Sequence, residues 1–359
     1  MNRHDESKRG TVKALRLMDW KADPELVDIP KPTPGQGQIV VKVGGAGACH
    51  TDLHLMHDFE PGMLPWKMPF TLGHENAGWV DSVGVGVTTV AEGDAVAVYG
   101  PRGCGKCERC RVGWEDYCEN QAAAPVVNGG GGLGLDGGMA EFLLVPNERL
   151  LVPLPADLEP KTAAALTDAG LTPYHAIRRS WSKMTPTSTV VVIGVGGLGH
   201  LALQLVKATT SARVIAVDNR PEALELATKM GADHVIPSND QAADAIKDLT
   251  GGRGADVCLD FVGANPTIEL ARAAARSLGD VTIVGIGGGS VSLSFFSQSY
   301  EVSIQTTYWG AHPELVELLD LASRGLVHVE STTYSLDDAA QAYRDLQEGK
   351  VNGRAIVVP

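Results

Sequence analysis

Thr189-Val190-Val191-Val192-Ile193-Gly194-Val195-Gly196-Gly197-Leu198-Gly199-His200-Leu201-Ala202-Leu203 is the stretch on which the fold turns. The β-branched run reads as a buried strand, and the residues after Gly199 have the apolar spacing of a helix. Between them Gly194, Gly196 and Gly199 satisfy Gly-x-Gly-x-x-Gly. In that context the glycines permit a tight turn and let the backbone of Gly194 to Gly199, with Gly197 and Leu198, approach a pyrophosphate. The helix N-terminus would stabilise the phosphate charge. Asp218 closes the next apolar run, where a carboxylate accepts hydrogen bonds from ribose hydroxyls and repels a 2′-phosphate. NAD is therefore preferred to NADP. Asn219 and Arg220 follow at the same edge, and Arg220 is the residue that argues the other way.

Outward from this stretch, strand and helix patterns alternate: Arg213 to Asp218, Pro221 to Met230, Val257 to Phe261 and Val281 to Gly285. That alternation predicts a doubly wound, parallel Rossmann sheet over 165–314. From Val12 to about Leu154 the pattern changes to short β-rich runs broken by Gly and Pro, such as Gln38 to Val43 and Asp94 to Val98. The tail after about Val327 also carries strand-like pieces, so a second, β-rich domain is expected over 1–164 and 315–359. Residues 1 to 10 are polar and read as a loose tail. Gly129 to Gly134 repeats the glycine spacing, but no strand run leads into it and no helix pattern follows. It is read as a flexible loop.

A chain of 359 residues exceeds what one core usually supports, in keeping with two domains. With 43 acidic against 30 basic residues the net charge is -13, which repels nucleic acid and acidic membrane surfaces. The most apolar segment, Val190 to Leu203, is too short to span a bilayer and is interrupted by glycines and His200. The start of the sequence lacks the features of an export signal, so a cytoplasmic location is expected.

Four of the six cysteines, Cys104, Cys107, Cys110 and Cys118, are spaced with two, two and seven residues between them. Four thiolates close a tetrahedral zinc site with no open position, which suits a structural ion; an iron–sulfur cluster would need the same ligands. A second set combines Cys49-His50-Thr51-Asp52-Leu53-His54 with Gly73-His74-Glu75. A lone cysteine is usually a small buried hydrophobe, and the combination is what makes these residues candidates.

This ordered set resembles the zinc-containing medium-chain alcohol dehydrogenases from about Val12 to Pro359, most nearly bacterial members acting on secondary or aryl alcohols. Asp168-Ala169-Gly170-Leu171-Thr172 and Tyr308-Trp309-Gly310 carry the latter point. The resemblance implies a GroES-like catalytic domain beside the Rossmann domain, zinc in the cysteine lobe, and a catalytic zinc held by Cys49 and His74. The third ligand, often cysteine in the family, falls on Asp168, with Glu75 as the rival carboxylate. Asp52 would orient the His74 ring. His50 and Arg354 match positions that meet the cofactor pyrophosphate, and Thr172 one beside the nicotinamide. The metal would lower the pKa of the alcohol, hydride would pass to NAD, and Thr51 would relay the proton to His54, with His50 and His57 as competing histidines. Trp66, Tyr308 and Trp309 are candidates for the substrate pocket.

Rival readings are a zinc-free reductase, which has no need of Cys49, His74 or the cysteine lobe; a zinc-dependent polyol or sugar dehydrogenase; and a nonenzymatic NAD-binding redox sensor. The family implies a small-molecule alcohol or carbonyl partner and a homo-oligomer, dimer or tetramer.

Overall fold

The computed structural model describes residues 10–359, so all of the expected tail but Gly10 lies outside the described residues. The chain divides into two units. One comprises the residues up to Asp168 with Gly310–Ser323 and Ser331–Pro359, and the other comprises Ala169–Trp309 with Arg324–Glu330.

The second unit is built on a six-stranded parallel sheet. Across it lie His234–Pro237, Arg213–Asp218, Thr189–Ile193, Ala255–Asp260, Ala275–Ile283 and Ser303–Thr306. Numbered by appearance, that order is 3-2-1-4-5-6, with chain reversal beside Thr189–Ile193, where doubly wound sheets bind dinucleotides. Val190 to Ile193 and Val214 to Val217 are fully or almost fully buried, which accounts for the uninterrupted apolar runs. The segment Arg324–Glu330 stands with this unit because helix Gly199–Thr209 grips it. The Gln204 amide donates to the His328 carbonyl at 2.8 Å and accepts from its N–H at 2.8 Å.

In the first unit, Ile39–Ala48 is the central strand, flanked by antiparallel Glu75–Val83 and Arg354–Val358. Ser331–Ser335 adds in parallel to Arg354–Val358, so the C-terminal tail completes this sheet. Register decides which side chains meet. Ala355 faces Ala48 and Gly47 faces Glu75, which brings Cys49, Glu75 and Arg354 to one end of three neighbouring strands.

The second glycine run is a correction. Gly129 to Leu133 are buried, and the run forms two short paired strands, Gly130–Gly131 and Gly134–Leu135, with the Gly130 N–H on the Leu133 carbonyl at 2.9 Å. Its glycines serve close packing within the first unit. Among the described residues no helix is long and apolar enough to cross a membrane.

Candidate active site and metal centres

Cys49 caps the helix His50–His57 in an extended conformation, and Asp52, three residues in, reaches back to accept the Cys49 N–H at 3.1 Å. The same carboxylate stands 3.2 Å from His74 Nδ1, leaving Nε2 of that ring facing Asp168 Oδ2 at 3.4 Å. His74 begins the turn into strand Glu75–Val83. Asp168 sits in a π-helical turn, Leu166–Gly170, a widened geometry often found at functional sites. Thr167 fixes that turn: its hydroxyl donates to the Ala164 carbonyl at 2.8 Å and accepts the Asn76 N–H at 3.1 Å.

Cys49, His74, Glu75 and Asp168 thus bring one ligand atom each to within 4.8 Å of the others. Zinc with nitrogen and oxygen ligands at about 2.0 to 2.1 Å separates tetrahedral neighbours by roughly 3.3 to 3.4 Å, which the His74 to Asp168 distance matches. The charges also fit. Cys49, Asp52 and Glu75 are buried and Asp168 nearly so, giving four potential anions against Arg354 and a protonated His74, whose proton a metal ligand must give up. A dication compensates that excess, which an isolated buried cluster otherwise could not sustain. Burial raises the Cys49 thiol, but Arg354 and His74 outweigh it and bring it from 9.0 down to about 7. Burial disfavours a charged His74, yet Asp52 and Asp168 hold its pKa well above 6.5, so a bound metal would displace that proton.

Glu75 is committed elsewhere. Arg354 donates through Nε to its Oε2 at 2.9 Å and through Nη2 to Oε1. Gly47 makes room, because a Cβ there would lie 1.8 Å from Oε2. Burial pushes the Glu75 carboxyl up against the pull of Arg354, while on the arginine side the Glu75 carboxylate outweighs burial and keeps the guanidinium charged. Arg354, which the resemblance places at the pyrophosphate, spends two of its nitrogens on this pair. The side chain is 2% exposed, and strand register turns it onto Glu75 and Cys49. Sequence reasoning also missed Tyr343, whose hydroxyl donates to Asp52 Oδ2 at 2.9 Å from 291 residues away.

Thr51 Oγ1 lies 3.6 Å from Cys49 Sγ. His54 is part-exposed on the same helix, with Nδ1 against the Asp58 carboxylate. His50 and His57 are exposed. Trp66 donates to the Val127 carbonyl at 2.9 Å and meets Phe70 edge-on. In the second unit Tyr308 and Trp309 are edge-to-face, with Trp309 buried at a φ of 51°, and Thr172 is buried at the start of helix Leu171–Arg179.

The cysteine lobe collects Cys104, Cys107, Cys110 and Cys118 to the same tolerance. Cys107 Sγ and Cys118 Sγ are 4.0 Å apart, near the roughly 3.8 Å edge of a tetrahedron with Zn–S bonds of about 2.3 Å. Backbone N–H groups of Lys106 and Cys107 point at Cys104 Sγ at 3.4 Å, and that of Cys104 at Cys118 Sγ at 3.3 Å. Such donors stabilise thiolates. Backbone hydrogen bonds lower Cys107 to about 6, whereas burial pushes Cys110 up to about 12. All six cysteines are free thiols.

In the dinucleotide turn Gly194 has a φ of 86°, and the Gly199 Cα approaches so closely that a Cβ would lie 1.9 Å from the Gly194 carbonyl oxygen. Gly196, Gly197 and Leu198 are part-exposed between them. Asp218 is buried with Oδ2 accepting the Val195 N–H at 2.7 Å and Oδ1 the Arg220 N–H at 2.9 Å. Each oxygen keeps a further lone pair for a ribose hydroxyl. Asn219 is exposed, and Arg220 Nε stands 3.6 Å from Asp218.

A dinucleotide fold joined to a Cys-His-carboxylate metal pocket and a four-thiol lobe defines a zinc- and pyridine-nucleotide-dependent oxidoreductase. Residues 35–156 match the family described as Alcohol dehydrogenase GroES-like domain, and 197–324 match Zinc-binding dehydrogenase. An NAD-dependent alcohol dehydrogenase of Sulfurisphaera tokodaii is 34% identical over 97% of this chain and all of its own. The crystal structure of an Aeropyrum pernix alcohol dehydrogenase superposes with a TM-score of 0.88 at 37% identity, covering 97% of this chain and all of that one. Acetophenone reductase from Geotrichum candidum, solved with NAD, gives 0.84 at 29% identity over 98% of each. The chain belongs to the zinc-containing medium-chain alcohol dehydrogenases and is an NAD-linked enzyme of that family.

Proposed function

We propose that this enzyme oxidises a secondary or aryl alcohol, reversibly, with NAD as hydride acceptor. It uses one zinc ion at Cys49, His74 and Asp168 and a second, structural ion in the cysteine lobe. The observation that carries the reading is the buried donor set with His74 Nε2 and Asp168 Oδ2 at 3.4 Å and an excess of negative charge around it. Asp168 is the third ligand because its Oδ2 faces His74 Nε2, whereas both Glu75 oxygens carry the Arg354 cation, whose charge opposes a metal there. When bound, zinc lowers the pKa of an alcohol hydroxyl and NAD accepts hydride.

The chain supplies the rest. Asp52 fixes the His74 tautomer, Arg354 holds Cys49 toward its thiolate, and Thr51 beside Cys49 takes the proton. His54 is the exit, with Asp58 engaging its Nδ1 so that Nε2 is free to accept. His50 and the turn Gly194 to Gly199 bind the pyrophosphate, Thr172 flanks the nicotinamide, and Asp218 with Asn219 favours NAD. The likeness to acetophenone reductase supports the aryl preference, and Trp66, Tyr308 and Trp309 are the aromatic candidates for that selectivity.

Exposed Phe295 and Phe296, at 73% and 85%, support burial in a homo-oligomer, a dimer or tetramer. Six cysteines without a disulfide suit the reducing cytoplasm.

A screen of primary, secondary, aryl and polyol substrates followed by NADH absorbance tests the activity. Secondary or aryl alcohols should turn over most efficiently, and a polyol in first place would move the assignment to the polyol branch. Metal analysis should find two zinc ions per chain, one exchangeable. A fully active preparation with one ion contradicts the assignment. Asp218→Ser should gain relative efficiency with NADP, whereas an unchanged preference removes Asp218 from cofactor selection.

A further inference from the structure

Asp52 is 0% exposed, and its carboxylate does two jobs: it closes the helix cap on the Cys49 N–H and it meets the ring of His74. A buried carboxylate performs both only if it cannot rotate. Oδ1 is committed to His74, and Oδ2 accepts from the Cys49 N–H at 3.1 Å and from the Tyr343 hydroxyl at 2.9 Å. Tyr343 is 3% exposed on helix Ala339–Gln347, which packs against His50–His57. Ala339, Ala342 and Leu346 already give that helix its buried apolar face, so a phenylalanine would serve packing equally well. The hydroxyl is what packing leaves unexplained.

We propose that Tyr343 is a positioning residue for the catalytic metal, acting through Asp52 to hold both Cys49 and His74 in ligand geometry. This rests on the zinc assignment given under Proposed function. A neutral donor suits the position: it anchors Oδ2 without the cation that would cancel the charge Asp52 turns toward His74. A phenol buried beside this carboxylate also stays protonated, because burial and Asp52 push its pKa well above 10. Without the hydroxyl, Oδ2 keeps one donor, the carboxylate is held less firmly, and the grip on the His74 ring loosens.

The test is the rate at which purified holoenzyme loses its exchangeable zinc to a chromogenic chelator, compared with Tyr343→Phe. Removing an outer partner of a metal ligand typically costs about 10- to 100-fold in affinity, so release should quicken by at least about tenfold. Zinc in the cysteine lobe should leave at an unchanged rate. Cobalt substituted at the exchangeable site should show an altered visible spectrum in the variant. In an Asp52→Asn background the Tyr343→Phe change should add little, and full additivity would overturn action through Asp52. Equal release rates, or a lowered melting temperature with release and cobalt spectrum unchanged, would reduce Tyr343 to a packing residue and overturn the proposal. A wild-type enzyme with no exchangeable zinc would instead sink the zinc assignment itself, and that outcome is read on the parent protein alone.

Discussion

The two donor clusters of the first unit are built by opposite means. The cysteine lobe takes all its ligands from 15 consecutive positions and orients its sulfurs with backbone N–H groups of the same loop. The proposed catalytic cluster draws on positions 49, 74 and 168, and the residues proposed to support it stand at 52, 75, 343 and 354. Its donors are of three chemical kinds, and side chains from separate elements hold them. A local, uniform cage suits an ion that never leaves. A site assembled from distant parts permits an open coordination position and an outer shell that tunes the metal.

The contrast can be broken by experiment. Cys49→Ser should abolish turnover, a loss beyond the roughly 100-fold that removing an outer partner brings, with NADH binding by fluorescence largely intact. Retained activity would deny Cys49 its ligand role. Arg354→Met leaves Glu75 buried without its partner. Denaturant unfolding should show a loss of about 3 to 5 kcal/mol, because removal of one member of a buried pair strands the other charge. Cys107→Ser should release the lobe zinc and open residues 103–120 to protease, yet leave the exchangeable ion in place, since the clusters share no ligand. Loss of both ions would show them to be coupled.

Acidity gives the subtlest distinction. Zinc affinity at both clusters should rise with pH, since a proton competes for each ligand. The Cys49 thiol, down at about 7, is largely ionised at pH 7.5, whereas Cys110, up at about 12, is not, and burial raises Cys118 as well. Zinc displaces the His74 proton at the catalytic cluster and those of Cys110 and Cys118 in the lobe, so zinc added to apoprotein in weak buffer at pH 7.5 should release more protons per ion at the lobe. Dye-monitored titration of the Cys49→Ser and Cys107→Ser variants would separate the two counts.

The same division governs what could be read from the sequence. The dinucleotide turn was legible because strand, glycines, helix and Asp218 are contiguous, and the lobe because its spacing is short. Cys49 and His74 became readable only as members of an ordered set. The pairing of Arg354 with Glu75 was not legible because its neighbours depend on strand register, with Ala355 opposite Ala48, and no local pattern encodes that pairing. Tyr343 looks like any apolar position of an amphipathic helix, so its hydroxyl carried no signal. The strands His234–Pro237 and Ser303–Thr306 were missed because they are short edge strands with exposed residues. Gly129 to Gly134 misled because glycine spacing records close approach without saying what approaches.

The return of the last strand to the first unit bears on how the enzyme is born. Arg354–Val358 lies between Ile39–Ala48 and Ser331–Ser335, and Ser331–Ser335 joins the sheet only through it, so the sheet behind the metal pocket stays two strands short until residues 354–358 have been made. A nascent chain held at the ribosome after residue 330 has the lobe cysteines and the whole dinucleotide sheet in hand. It lacks both Tyr343 and Arg354, and with them the counter-ion of Glu75. Chains truncated after residue 330 should therefore fold a nucleotide-binding body and still be unable to build the catalytic pocket, so full metallation waits on residues 331–358.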